Sequence, residues 1–158
     1  MDGRNDVQLA VKIDGNWVIT HFNLKEFESK NGWVMIHKSV IVSLSKLREE
    51  LAKIFKEEIE IIITDTTRTQ EDLNYLAARL GWTDEGGLVS KNSRHLDRYG
   101  GIAVDFYARH KQNKERIPSS QIEPICRKYF DFVKADYADG HIHADNRNQI
   151  KNGTKKEE

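Results

Sequence analysis

Two short segments carry side chains that packing alone does not explain. The first, SRHLDRYGGIAVDF (93–106), places His95 ahead of a glycine pair and sets Asp105 among Ile102, Ala103, Val104 and Phe106. The second, HIHAD (141–145), alternates His141, His143 and Asp145 with apolar residues. An ionised carboxylate in apolar company is costly unless something positive meets it. Imidazole nitrogens and carboxylate oxygens are zinc ligands, and two histidines, one carboxylate and an open fourth position suit a catalytic ion. Such an ion would neutralise Asp105, lower the pKa of a water and polarise a substrate carbonyl. A remaining imidazole would act as base or stabilise the transition state. A plainer reading stands beside this one. H-x-H pairs occur on strand faces without metal, and Asp105 would then pair with Arg68 or Arg98.

The elements around these residues decide whether they can meet. On a strand, alternate residues share a face. Ala103 and Asp105 therefore point one way, and Ile102, Val104 and Phe106 point into the core. His141, His143 and Asp145 likewise share a face, with Ile142 and Ala144 opposite. If strands 101–107 and 141–145 are neighbours, a carboxylate and two imidazoles converge, and His95 in the preceding loop closes the set.

The rest of the chain reads as a frame for those two strands. VQLAVKIDGNWVITHF alternates around Asp14-Gly15-Asn16, which predicts a β-hairpin over 7–22. Asn23 and Glu26 have capping-box spacing and predict a short helix. Val40, Leu44, Leu47, Leu51 and Ile54 predict one apolar stripe on a helix over 39–56. EIEIIIT (58–64) reads as a buried β-branched strand. A helix flanked by Thr69 and Asp72 and ended by Gly81 follows, then a long loop over 82–101. Residues 108–118 read as a connection, and Ser120 begins a helix with Ile122, Ile125, Tyr129, Phe132 and Val133 inward. Helices and strands mix without a βαβ rhythm. The expected class is α+β, a small mainly antiparallel sheet with helices packed on one side. One domain over 1–147 and a disordered tail over 148–158 are expected.

Composition narrows the function classes. The chain of 158 residues carries 25 basic and 25 acidic side chains. A formal charge of zero gives no general electrostatic case for nucleic acid or an acidic membrane. The single cysteine, Cys126, precludes an internal disulfide and reads as a buried core thiol. His21, His37 and His110 read as surface or half-buried residues. The opening MDGRNDVQLAVKI lacks a basic segment followed by an apolar run, and no stretch approaches a membrane span. A cytoplasmic monomer is expected, released at lysis if the source is a phage.

These motifs resemble the zinc peptidases that cleave D-Ala-D-Ala or L-Ala-D-Glu bonds in bacterial cell walls. That family shares its metal core with lysostaphin-type enzymes and the hedgehog signalling domain. Its S-x-H and G-x-A-x-D motifs are matched by Ser93-Arg94-His95 and by Gly101 to Asp105, and its H-x-H-x-D by His141 to Asp145. IIITDTTRT (61–69) and HFNLKEFESKNGW (21–33) resemble further segments, so the likeness spans roughly 21–147 and leaves out the N-terminal hairpin. The resemblance implies a hedgehog/DD-peptidase-like fold, with Zn2+ held by His95, Asp105 and His143. It implies His141 as catalytic base or transition-state donor, Arg68 as a fork for a substrate carboxylate, Ser93 as a substrate hydrogen-bonding group and Asp145 as the orienter of an imidazole. Asp139 is a weaker candidate base, because the family's acidic position falls on Gly140. The implied substrate is a peptidoglycan stem peptide or another D-amino-acid-containing peptide, cleaved as by a carboxypeptidase or an endolysin-like endopeptidase. One departure stands out. Five residues, Leu96 to Gly100, separate His95 from Gly101, three more than usual, and Asp97 in that loop is a competing ligand. The alternative is a zinc-binding or phage interaction domain of the same fold without peptidase activity.

Overall fold

The computed structural model describes residues 7–29, 32, 34–67, 94–95 and 99–149. The Arg68 and Ser93 positions, the helix expected after Thr69, Asp97, most of the 82–101 loop and the chain beyond Gln149 lie outside them. The described chain is an α+β arrangement of two antiparallel sheets and two helices.

The first sheet is the expected hairpin. Strand β1 (Gln8–Ile13) pairs antiparallel with β2 (Asn16–Asn23). Asp14 and Gly15 both take positive φ, 51° and 86°, which a two-residue hairpin turn needs to match the strand twist. At the end of β2 the capping box forms as the spacing predicts. Asn23 Oδ1 accepts from the Glu26 backbone N–H at 3.2 Å, and Glu26 Oε2 accepts from that of Asn23 at 2.8 Å. The result is one 3-10 turn, Leu24–Phe27, that buries Phe27.

Helix α1 (Lys38–Phe55) buries Val40, Leu44, Leu47 and Leu51 as one stripe. Ile54 departs from the expectation. It is 50% exposed, because the helix ends within two residues at Lys56, which turns left-handed.

Against α1 lies the second sheet, β3 (Ile59–Asp65), β4 (Ala103–His110), β6 (Ile142–Asp145) and β5 (Phe132–Lys134), in the order β3-β4-β6-β5. All three pairings are antiparallel. Its core face carries Ile59, Ile61, Val104, Phe106, Ile142 and Ala144 into one cluster with the α1 stripe. Burying each of these side chains other than Ala144 stabilises the fold by on the order of 1.5–3 kcal/mol.

Two further expectations are corrected. Strand β4 runs through His110, so Ala108 to His110 belong to the sheet rather than to a connection. They continue the pairing with β3, ending Ile59 opposite His110. The helix from Ser120 does not reach Val133. Helix α2 (Ser119–Cys126) stops after eight residues, and Phe132 to Lys134 form the edge strand β5. Apolar spacing at 122, 125, 129, 132 and 133 suits a helix, yet the backbone finds better partners in the sheet. Phe132, Val133 and Lys134 pair with Asp145, Ala144 and His143, and the Asp131 N–H donates to Asn146 Oδ1 at 3.2 Å. Val133 still points into the core, but Phe132 turns to the opposite face.

Candidate metal centre

Register brings the two sequence motifs together. Asp105 on β4 stands directly opposite His143 on β6, and Ala103 stands opposite Asp145. All four share the face turned away from α1, the consequence of period-two alternation on paired strands. The strand end is fixed from the core side. The Asn146 N–H donates to the Ile102 carbonyl at 3.0 Å, and Asn146 Nδ2 donates to the hydroxyls of Ser39 and Ser43 on α1.

His95 reaches the same point despite the enlarged loop. Its Nδ1 lies 2.7 Å from the Thr66 carbonyl. A carbonyl only accepts, so Nδ1 carries the proton and Nε2 of a neutral ring presents its lone pair. Beyond the loop the chain is held by Gly101, which takes φ +76°. Its carbonyl accepts from the His37 N–H at 2.9 Å. A Cβ there would lie 2.5 Å from the Met35 carbonyl oxygen, so the close approach of 35–37 to the start of β4 requires glycine.

His143 is oriented in the same manner from the other side. Its Nε2 lies 2.8 Å from Asp145 Oδ2. Asp145 is fully buried and receives a two-point fork from Arg147, Nε to Oδ1 and Nη2 to Oδ2, each 2.8 Å. Burial alone would raise the Asp145 pKa, but the hydrogen bonds from Arg147 and His143 outweigh it and hold it near 2. An ionised Asp145 accepts the Nε2 proton, which leaves the lone pair of a neutral His143 on Nδ1. Phe132 meets the edge of the His143 ring at 5.9 Å and carries the Arg147 guanidinium on its face at 3.8 Å.

Three donor atoms therefore face one another: His95 Nε2, His143 Nδ1 and Asp105 Oδ1. Their separations are 3.0 Å (His95–Asp105), 3.1 Å (His95–His143) and 3.1 Å (His143–Asp105). Donors bound to tetrahedral zinc at about 2.0–2.2 Å stand roughly 3.3–3.6 Å apart, so this triangle needs to open by only a few tenths of an ångström to take a small cation. With both imidazole protons directed outward, neutral rings would leave three lone pairs converging on one point. A cation, or a proton in its place, resolves that conflict. The titration directions carry the same signature. Burial works against the charged forms of Asp105 and His143. Even so, the adjacent His95 and hydrogen bonds that either ring can give only with an inward proton pull Asp105 well below the usual carboxylate range. Hydrogen bonds to Asp105 and Asp145 raise His143. The group His95, Asp105 and His143 could thus hold a metal ion. Two imidazoles and a carboxylate suit zinc and also ferrous iron.

His141 lies beside this group rather than in it. Its Nε2 is 3.6 Å from Asp105 Oδ2, the oxygen turned away from the triangle. Its Nδ1 is 2.5 Å from Asp139 Oδ1, and its ring stacks on Tyr137 with centroids 3.9 Å apart. Asp139 also accepts the His141 backbone N–H at 3.0 Å, so its carboxylate is engaged in holding the imidazole.

Several supporting groups escaped the sequence reading: the Thr66 carbonyl, Arg147, Phe132 and Tyr137. Two carried a local signal: Tyr137, in the i, i+2, i+4 spacing of Tyr137, Asp139 and His141, and Arg147, two residues after Asp145. Cys126 is fully buried, and burial pushes its thiol up to about 12, as fits an inert packing residue. No helix among the described residues is long and apolar enough to cross a membrane. No family model and no curated protein matches the chain.

Proposed function

We propose that this protein is a zinc-dependent peptidase acting on D-amino-acid-containing stem peptides of bacterial cell walls, with the hedgehog/DD-peptidase-like fold that its motifs suggest. The observation that supports it is the convergence of His95 Nε2, His143 Nδ1 and Asp105 Oδ1, with each imidazole's other nitrogen donating outward. Zinc held by these atoms would supply Lewis acidity, polarising a carbonyl and acidifying a water.

The remaining chemistry belongs to the chain. His141 has Nδ1–H committed to Asp139, so Nε2 bears its lone pair toward Asp105. In this reading Nε2 takes a proton from the attacking water as its oxygen bonds to the scissile carbonyl carbon. It returns that proton to the amine nitrogen as the C–N bond breaks. Asp139 and Tyr137 hold the ring and its tautomer. Asp145 and Arg147 keep His143 in the tautomer that donates electron density inward. Arg68 and Ser93 are proposed substrate contacts.

The test is elemental analysis of the purified protein together with mass spectrometry of digested peptidoglycan. Near one zinc per chain and chelator-sensitive release of stem-peptide fragments are expected. Iron in place of zinc would refute the metal assignment. Zinc without any fragment would leave a metal-binding domain and refute the peptidase reading.

A further inference from the structure

We infer that Arg116 is a ligand-anchoring residue of the metal-centre face, taking a carboxylate group of the bound peptide. The inference deepens the proposed peptidase reading and rests on it for the identity of the peptide.

Arg116 lies exposed in the segment after β4, and its side chain is held at two points. Its guanidinium stacks on the Tyr107 ring at 3.9 Å. Tyr107 follows Asp105 by two residues on β4 and so shares its face, roughly 7 Å along the strand. Toward the segment before β6, Arg116 Nη2 donates to the Asp139 carbonyl at 3.3 Å and lies 3.6 Å from where a Gly140 side chain would begin. It thus borders the segment Asp139-Gly140-His141 that flanks the metal centre.

Its bonding is incomplete in a specific way. Arg48, Arg109, Arg127 and Arg147 each meet a carboxylate, on Glu58, Glu60, Glu123 and Asp145. Arg116 forms no such ion pair among the described residues: there its side chain donates only to the Asp139 carbonyl, and its charge acts on the Asp139 carboxylate from beyond hydrogen-bond distance, that carboxylate being taken up by His141. A guanidinium presents five donors in a planar fork that matches a carboxylate. Here the plane is already fixed by stacking, so little freedom remains to be lost on binding. Gly140, without a side chain, leaves the approach open. An extended peptide advances about 3.3–3.6 Å per residue. A carboxylate one or two residues from a carbonyl at the triad would therefore fall within the fork's reach. That distance fits a C-terminal carboxylate or an acidic side chain.

Two probe pairs separate those sources. Acetyl-D-alanine is compared with its amide, and acetyl-D-isoglutamine, with a free side-chain carboxylate, is compared with acetyl-D-glutamine amide. Dissociation constants are measured by calorimetry on the full chain as purified and again after chelation. In the wild type at least one acid should bind about tenfold or more tightly than its amide, with and without metal. Arg116→Gln should abolish that preference and leave amide binding unchanged. Arg116→Lys, which keeps the charge but loses the fork, should recover only part of it. The pair that responds identifies the carboxylate's source. Equal binding of acids and amides by the wild type, or a preference that survives Arg116→Gln, would overturn the assignment. Melting temperatures of both variants, expected to match the wild type, check the fold. Cleavage of stem peptides is scored separately, so a protein that binds acids through Arg116 but cuts nothing loses the peptidase reading and keeps this one.

Discussion

The paired strands β4 and β6 present two faces built from the same few residues, and the faces obey different physics. Val104, Phe106, Ile142 and Ala144 look toward α1 and are buried to within 1%. Their attraction is non-directional, scales with area and tolerates exchange for another apolar group of similar volume. Asp105, His143 and Asp145 look the other way, and there the imidazole nitrogens and the carboxylate oxygens have set partners at 2.8–3.1 Å, all but Asp105 Oδ2, which meets His141 Nε2 at 3.6 Å. The core face stabilises the fold. The polar face gathers groups that repel or strand one another, and the fold holds them in place. A substitution on one face should therefore cost stability and leave ligand geometry intact until the protein unfolds. The same change on the other should remove ligand binding with little loss of stability.

Exchanging single residues between these expectations tests them. His143→Ala should abolish stoichiometric zinc, the metal-induced rise in melting temperature and any hydrolysis together, while the metal-free protein still unfolds cooperatively. Phe106→Ala, on the opposite face of the adjacent strand, should cost about 3–5 kcal/mol in urea unfolding. In the fraction that remains folded, its zinc stoichiometry should be unchanged. Retained zinc in His143→Ala, or lost zinc in folded Phe106→Ala, would break the comparison.

The groups behind the ligands give intermediate effects. Asp145→Asn removes the acceptor that fixes His143 and should weaken metal affinity about 10–100-fold in competition with a chelator. Acid unfolding of the metal-free protein supplies a second reading of the same residue. Asp145 is depressed to about 2 in the fold. Its contribution is present above the unfolded carboxylate value of about 3.9 and is lost as pH falls through 2. Asp145→Asn should flatten the stability–pH curve in that window. His143 shifts the other way. Its raised pKa means that protons compete with metal at Nδ1 above the ordinary imidazole value, so zinc affinity should climb with pH through neutrality. The smallest effect belongs to the hairpin, where Trp17 is 71% exposed. Trp17→Ser should alter stability by no more than about 0.5 kcal/mol and leave metal binding alone.

Much of this architecture was legible along the chain. Period-two alternation assigned Val104 and Phe106 to the core and Asp105 to the opposite face, because adjacent side chains on a strand must diverge. The stripe of Val40, Leu44, Leu47 and Leu51 announced α1, and Asn23 with Glu26 announced the capped turn. Each depends only on neighbours a few residues away. Local spacing failed at Phe132, whose helix-compatible pattern was overruled by hydrogen bonds to β6. It failed also at Ile54, where the helix end decided exposure.

By itself, then, the sequence determined which residues bear metal-binding chemistry and which face of each strand they occupy, since both follow from side-chain type and backbone period. The tertiary structure decided that they meet. Strand register set Asp105 opposite His143. The close approach permitted by Gly101 and the Thr66 carbonyl brought His95 to them across the enlarged loop, and the Arg147–Asp145 pair chose the His143 tautomer. The Arg147–Asp145 pair is local, but it acts only once His143 has been placed. The other outcomes join groups 29 or more residues apart, and no local rule carries information across such a separation until the chain has folded.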